Sequence, residues 1–363
     1  MQYVPAMKKT LPFLSLLLFL FSLQAFSQQN TLDDNPLNVA DTLNSDFGLF
    51  TNSDVLNLTL RFDITQYQRK KPKKEYLDAI LTYHINERDS INKTVRLRSR
   101  GAMRNGYCSF PPISLNFKNA AFQKADIAKI EKIKMVTHCE YGNEENLLKE
   151  YLIYKLYNVL TDNSFRVRLV KVTYINTSKP KSKPIETYSF LIEPVEMLAE
   201  RTKAVVVESE NLSQKVIFPE VMNRMAIFNY MIGNTDWSVP NQHNCKILSV
   251  ADINRPGMGT IVPYDFDYSG LVNASYAIPF EQLPIKTVRE RLYVGICRSE
   301  EEFRTALQEF TDHKDAFYKV INDFTLLDKR TKNDMIEYLD SFFVQFDSRN
   351  SIVNELIKDC KSF

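Results

Sequence analysis

The chain lacks a second long apolar run, a marked excess of charge of either sign, an internal repeat, and the spacings of the commoner hydrolytic and zinc sites. Beyond its leader, no segment reaches the roughly 20 consecutive apolar residues that a membrane-spanning helix needs. A formal net charge of +2 over 363 residues leaves no whole-molecule field to attract nucleic acid or an anionic membrane surface. No Gly-x-Ser-x-Gly occurs, so the strained-turn nucleophile of that hydrolase class is excluded. His138 beside Cys139, and His243 two residues before Cys245, lack the paired ligand spacing of structural zinc, and each His reads as a satisfied polar side chain. Tryptophan occurs once, at Trp237, in a place that suits packing of a loop better than stacking on a ligand.

What is present begins with a leader. Lys8 and Lys9 precede an apolar run from Leu11 to Leu23, and Ala25-Phe26-Ser27 places small residues where a signal peptidase reads. Residues 1–27 are expected to be a cleaved secretory signal, with Met7 as a possible true start and an uncleaved anchor as the competing reading. Export implies a secreted, periplasmic or cell-envelope protein with no integral span after cleavage. Residues 28–53 are rich in Asn, Asp, Ser and Thr and read as a linker or flexible arm. Five cysteines leave at least one unpaired within the chain in an oxidising compartment. Cys108 and Cys139, each ending an apolar strand-like segment, are one candidate pair; the alternative is five buried thiols. The basic run from Arg69 to Lys74 reads as a solvated loop.

Alternation of apolar and polar residues predicts strands at Leu56–Phe62 and Val95–Arg98, with further strands at 76–83, 113–117, 133–136, 167–175 and 187–192. One amphipathic helix, Glu144 to Leu160, interrupts them. From Phe218 the period becomes helical, with helices at 221–231, 300–310, 315–324, 332–346 and 352–360. Residues 54–193 are therefore expected to form a β-rich N-terminal lobe with one long helix, and 194–363 a mainly helical C-terminal lobe, meeting near Glu193 to Arg201.

The stretch richest in chemistry is Gly233-Asn234-Thr235-Asp236, then Asn241, Asn244, the strand Cys245–Val250, and Asp265-Phe266-Asp267. An Asp on a loop, an Asn entering a strand and an Asp-bearing turn after the next strand is a layout that sets a base and metal-holding oxygens around a nucleotide. Asp236 suits the base that orients an acceptor hydroxyl, its rival reading being an N-cap or Asx-turn. Asp265 suits a metal ligand, and Asp267 a ligand to a second ion or a turn residue. Asn241 stands five residues after Asp236, whereas Asn244 directly precedes the strand; both are kept as metal-ligand candidates. Lys134, on the strand before the long helix, is a candidate for holding phosphates, with Glu150 or Glu145 as its partner and Lys132 on the same face. Glu193 is a candidate for capping a helix at Pro194.

In order, Arg100-Gly101, Asn143 and Asn146, Phe190-Leu191-Ile192-Glu193, Gly233-Asn234-Thr235-Asp236 and Asp265-Phe266-Asp267 resemble the pattern of the CotH kinase family, the spore-coat and secreted atypical kinases, and more distantly of HipA-like kinases. The segment after Arg100-Gly101, Ala102 to Tyr107, departs from that pattern. The resemblance implies an α+β, bilobal protein-kinase-like fold. It also implies transfer of the terminal phosphate of ATP to a protein hydroxyl with Mg²⁺ or Mn²⁺, and adenine-side contacts for Glu193, which resembles the family's acidic residue at the lobe junction. The alternative is a catalytically inactive binding or assembly module of the cell envelope.

Overall fold

The computed structural model describes residues 48–84, 88, 90–118, 120, 130–142, 144–347 and 351–361. The expected signal segment, residues 28–47 of the expected arm, and Asn143 lie outside the described residues. Gly48 to Ser53, expected to belong to that arm, are instead held. Leu49 and Phe50 are buried in the apolar core around them, and Arg168 donates to the carbonyls of Gly48 and Asn52.

The first half builds a closed barrel. Its strands are β1 (Leu56–Phe62), β2 (Leu77–His84), β3 (Ser90–Ser99), β4 (Ile113–Asn116), β5 (Lys132–Val136), β6 (Val167–Asn176) and β7 (Ile185–Ile192). They run in the order β1-β2-β3-β4-β5-β7-β6 and return to β1. Alternation sets the faces: Leu56, Leu58, Leu60 and Phe62 point inward while Asn57 and Arg61 face out. The interior is completed by residues such as Val95, Leu97, Leu115, Val170, Val172 and Tyr174. Neighbours in the barrel pair antiparallel except at one seam, where β1 runs parallel to β6 from Leu56↔Val170 to Phe62↔Asn176.

That seam corrects the expected bilobal protein-kinase-like fold. An open β-rich lobe facing a helical one requires free sheet edges, and here the edges of β1 and β6 satisfy each other, so the sheet encloses its own core. Period-2 patterning fixes which face of each strand is buried. It does not say that the first strand will pair with the sixth.

Helix α1 (Ile64–Lys70) is capped by Asp63, whose side chain accepts from the Gln66 amide at 2.8 Å, and its buried Tyr67 donates to the carbonyl of Pro111 at 2.9 Å. Short helix α2 (Met103–Tyr107) follows β3. Helix α3 (Glu145–Leu160) buries residues on nearly every side, as a helix must when it lies between two apolar surfaces. After α4 (Val195–Arg201) come β8 (Ala204–Val206), α5 (Pro219–Ile232), β9 (Cys245–Val250) and β10 (Gly259–Pro263). The three strands form a sheet ordered β10-β9-β8. Helices α6 (Glu300–Asp312), α7 (Lys314–Asn322), α8 (Lys329–Asp347) and α9 (Ser351–Asp359) complete the described chain.

Two disulfides join Cys108 to Cys139 and Cys297 to Cys360, and Cys245 is a buried free thiol. Among the described residues, no helix is long and apolar enough to cross a membrane.

Candidate functional site

The loop bearing Asp236 begins where α5 stops. Gly233 closes that helix in the left-handed conformation, φ 67°. A Cβ there would lie 2.1 Å from the Tyr338 hydroxyl, so both backbone angle and space require glycine. Buried Asn234 accepts the Asp236 amide at 3.1 Å and donates to Asn229 at 2.9 Å. The Asx-turn reading of this segment and an oriented Asp236 therefore coexist. Gly270 N–H donates to the Gly233 carbonyl and Leu271 N–H to Ile232, both at 3.0 Å. These two bonds dock the Asp236 loop against the segment that follows Asp267.

Asp236 has a 13% exposed side chain, with both carboxylate oxygens engaged. Oδ1 lies 2.8 Å from His243 Nε2, and Oδ2 accepts from Asn244 Nδ2 at 2.9 Å. Burial raises its pKa, His243 opposes the rise, and Asp265 adds to it. His243, read from sequence as a satisfied polar residue, is the partner that the sequence did not pair with Asp236.

Asn244 is buried with φ 51°. Its amide nitrogen donates to the Asp236 carbonyl and carboxylate, while its own carbonyl accepts the Tyr264 amide at 3.0 Å. The side-chain oxygen is left without a protein hydrogen bond among the described residues. Asn241 is exposed, and its side chain accepts the His243 amide at 3.2 Å. Of the two Asn candidates, Asn244 is the one joined to Asp236.

Asp265 also sits in left-handed backbone, φ 64°, an uncommon state for a residue other than glycine. Its amide donates to the buried Tyr154 hydroxyl at 2.9 Å. The next residue, Phe266, is fully buried against Tyr154 and Phe228. The half-buried Asp265 carboxylate makes no hydrogen bond or ion pair among the described residues. Asp267 is differently placed. It is buried, and its Oδ2 accepts from Arg104 Nε at 2.7 Å and from the Tyr276 hydroxyl at 3.0 Å.

Arg104 also holds Glu150. The expected Lys134–Glu150 pair is thus corrected: Glu150 is fully buried on α3 and its carboxylate is taken by a guanidinium from α2, while Glu145 pairs with Lys149 at 2.6 Å. Burial pushes the Glu150 carboxyl up and Arg104 pulls it back. Arg104 belongs to the segment that departs from the family pattern, and nothing in its spacing announces a partner on either side.

Lys134 stands over the Tyr264 ring, 4.6 Å from its centre. Burial and the nearby Arg100 guanidinium bring its ammonium down to about 8, against the opposing attraction of Asp265. It lines a cleft of about 440 Å³ together with Lys73, Arg98, Arg100, Lys132, Lys246, Glu193 and Glu196. Lys73 comes from the basic run that read as a solvated loop. Glu193 is buried at the rim and already bound, accepting from Arg201 Nε at 2.8 Å and from the Arg166 amide at 3.0 Å. It thus ties the segment before α4 to Arg201 at that helix's far end and to the Arg166 amide; the start of α4 at Pro194 carries no side-chain cap, which corrects the capping alternative.

Among the described residues, no group of three or more His, Cys, Asp or Glu side chains is arranged to hold a metal ion. Among the described residues of the Asp236 loop and the Asp265 turn, the carboxylate of Asp265 and the side-chain oxygen of Asn244 are hard oxygen donors without a hydrogen-bonding protein partner; Glu150 Oε1 also lacks one but is buried beside Arg104. Asp265 and Asn244 suit Mg²⁺ or Mn²⁺ where phosphate oxygens and water supply the rest of the shell.

No family model matches the chain, and no curated protein does. Among solved structures, the chain is similar to the Helicobacter pylori proinflammatory kinase CtkA, at 11% identity and a TM-score of 0.36, over 68% of this chain and 91% of that one. At that overlap the likeness carries no argument for fold or chemistry.

Proposed function

We propose that this protein is a metal-assisted phosphotransferase that moves the terminal phosphate of ATP to a protein hydroxyl, working in a secreted or cell-envelope setting. The observation that carries the reading is the grouping of Asp236, Asn244 and the turn bearing Asp265, tied together through Asn244, which bonds the Asp236 carboxylate and the Tyr264 amide beside Asp265, with Lys134 seated over the Tyr264 ring. Phosphoryl transfer asks a protein mainly for positioning and charge stabilisation, and these residues supply both. Lys134 and its cationic neighbours attract phosphates. Asp236, fixed by Asn234, His243 and Asn244, is oriented to receive or direct an acceptor hydroxyl. Asp265 and Asn244 would hold Mg²⁺ or Mn²⁺, which when bound offsets phosphate charge. Two disulfides support an oxidising compartment, consistent with the leader.

A second reading, a nucleotide-holding assembly module without transfer, is favoured by one observation. Asp267 and Glu150 are both committed to Arg104, which leaves few free carboxylates for metal. Incubation of the mature chain with Mn²⁺ or Mg²⁺ and γ-labelled ATP separates the two. Transfer that Asp265→Ala abolishes is expected. A nucleotide-induced rise in Tm without transfer selects the module, and no rise at all overturns both.

A further inference from the structure

The cleft holds more positive charge than a metal-bound nucleotide calls for. Lys73, Arg98, Arg100, Lys132, Lys134 and Lys246 all line it, and none of the six makes an ion pair or a side-chain hydrogen bond among the described residues. Two carboxylates line it as well, one of which, Glu193, is bound by Arg201. The cations repel one another: after burial itself, Arg100 and Lys246 lower the Lys134 pKa, while Asp265 and Glu196 oppose them. Like charges crowded in a concave site in excess of their counter-charges raise the energy of the empty protein, and a polyanion relieves it.

Their layout is extended. Arg98 pairs across to Ser114, Ser114 to Lys134, and Lys134 to Ile192. Arg98 and Lys134 thus stand on one outer face of the barrel wall, two strand spacings or roughly 9.5 Å apart at the backbone. Lys132 is one side-chain alternation further along β5, on the same face. Lys73 adds a charge from the loop before β2. A triphosphate near Lys134 and Asp265, its charge half offset by a divalent ion, leaves Lys73, Arg98 and Lys132 unanswered.

We propose that the cleft binds a linear chain of phosphates longer than a nucleotide's three, of the inorganic polyphosphate type, laid along the barrel wall from Lys134 outward past Arg98 and Lys132 to Lys73. The inference rests on the reading above only in placing phosphates in this cleft. The outer three cations set the preference for chain length. Lys134, Arg100 and Lys246 serve any phosphate ligand.

The test is calorimetric titration of the mature chain, without divalent metal, with pentapolyphosphate, tripolyphosphate, ATP and a short poly-glutamate. Pentapolyphosphate is expected to bind at least tenfold more tightly than tripolyphosphate or ATP, and poly-glutamate at least tenfold more weakly than pentapolyphosphate. The variant Lys73→Gln/Arg98→Gln/Lys132→Gln should lose about 30-fold for pentapolyphosphate and less than threefold for tripolyphosphate. The charge-keeping variant Lys73→Arg/Arg98→Lys/Lys132→Arg should retain the preference. Equal binding of the two chain lengths, equal loss for both in the Gln variant, or poly-glutamate binding as well as pentapolyphosphate overturns the proposal. Asp265→Ala keeps the two readings apart: it should lose metal-dependent transfer and still prefer the longer chain.

Discussion

Arg104 Nε donates to Asp267 Oδ2 at 2.7 Å, and the other arm of the same guanidinium holds Glu150. One side chain on α2 thereby joins α3 to the turn carrying Asp265, and all three charged groups are buried. Removing the cation strands two carboxylates in a medium that solvates them poorly. Arg104→Ala is expected to lower stability by about 3–5 kcal/mol. Arg104→Lys should recover only part of this, because an ammonium lacks the fork that reaches both acids. Urea unfolding measures it, and a loss below about 1 kcal/mol would show that the pair contributes little.

Lys134 is charged below about 8 and neutral above it. Phosphate affinity that depends on its ammonium is therefore present at lower pH and lost as pH rises, with bound phosphate moving the transition upward. Between pH 7 and pH 9 or above, tripolyphosphate affinity of the wild type should fall by up to about tenfold more than that of Lys134→Arg, whose guanidinium stays charged throughout. Parallel titrations of the two proteins across that range decide the matter; identical slopes would remove Lys134 from phosphate binding.

His138 is buried between Phe110 and Tyr141, ring centres 4.9 and 5.4 Å away, with neither ring nitrogen hydrogen-bonded. Burial brings its pKa from 6.5 to about 4. The folded chain thus keeps it neutral while the unfolded chain protonates it below pH 6.5. Its contribution to stability is full above that pH, declines as pH falls, and levels off below about 4, a loss on the order of 3 kcal/mol. His138→Phe should flatten this acid limb in pH-dependent unfolding. An unchanged limb would place the sensitivity elsewhere.

Sequence made the elements legible because their periods are local properties. The strand at Leu56–Phe62 and the helix ending at Leu160 follow from alternation and helical spacing, and the described elements lie close to those ranges. Closure of the barrel was not legible, since pairing of β1 with β6 depends on register across more than a hundred residues. In the site, the glycine at 233 and the order of Asp236, Asn244 and Asp265 could be read as turn chemistry and spacing. The partners that orient them could not. His243 looked like an isolated polar residue, Arg104 stood in a segment without a recognisable pattern, and Lys73 looked like part of a solvated run. Each acts through a neighbour brought near only by the fold.

The parallel seam also orders events in time. Strand β1 has one of its two barrel neighbours at Val167–Asn176, so its outer edge remains open to strangers until about residue 176 has been made. The ring itself cannot shut until β7, which stands between β5 and β6, has followed at about residue 192. Closing so long an intervening loop carries an entropic penalty that local hairpins avoid, and the last step of barrel formation should be the slow one.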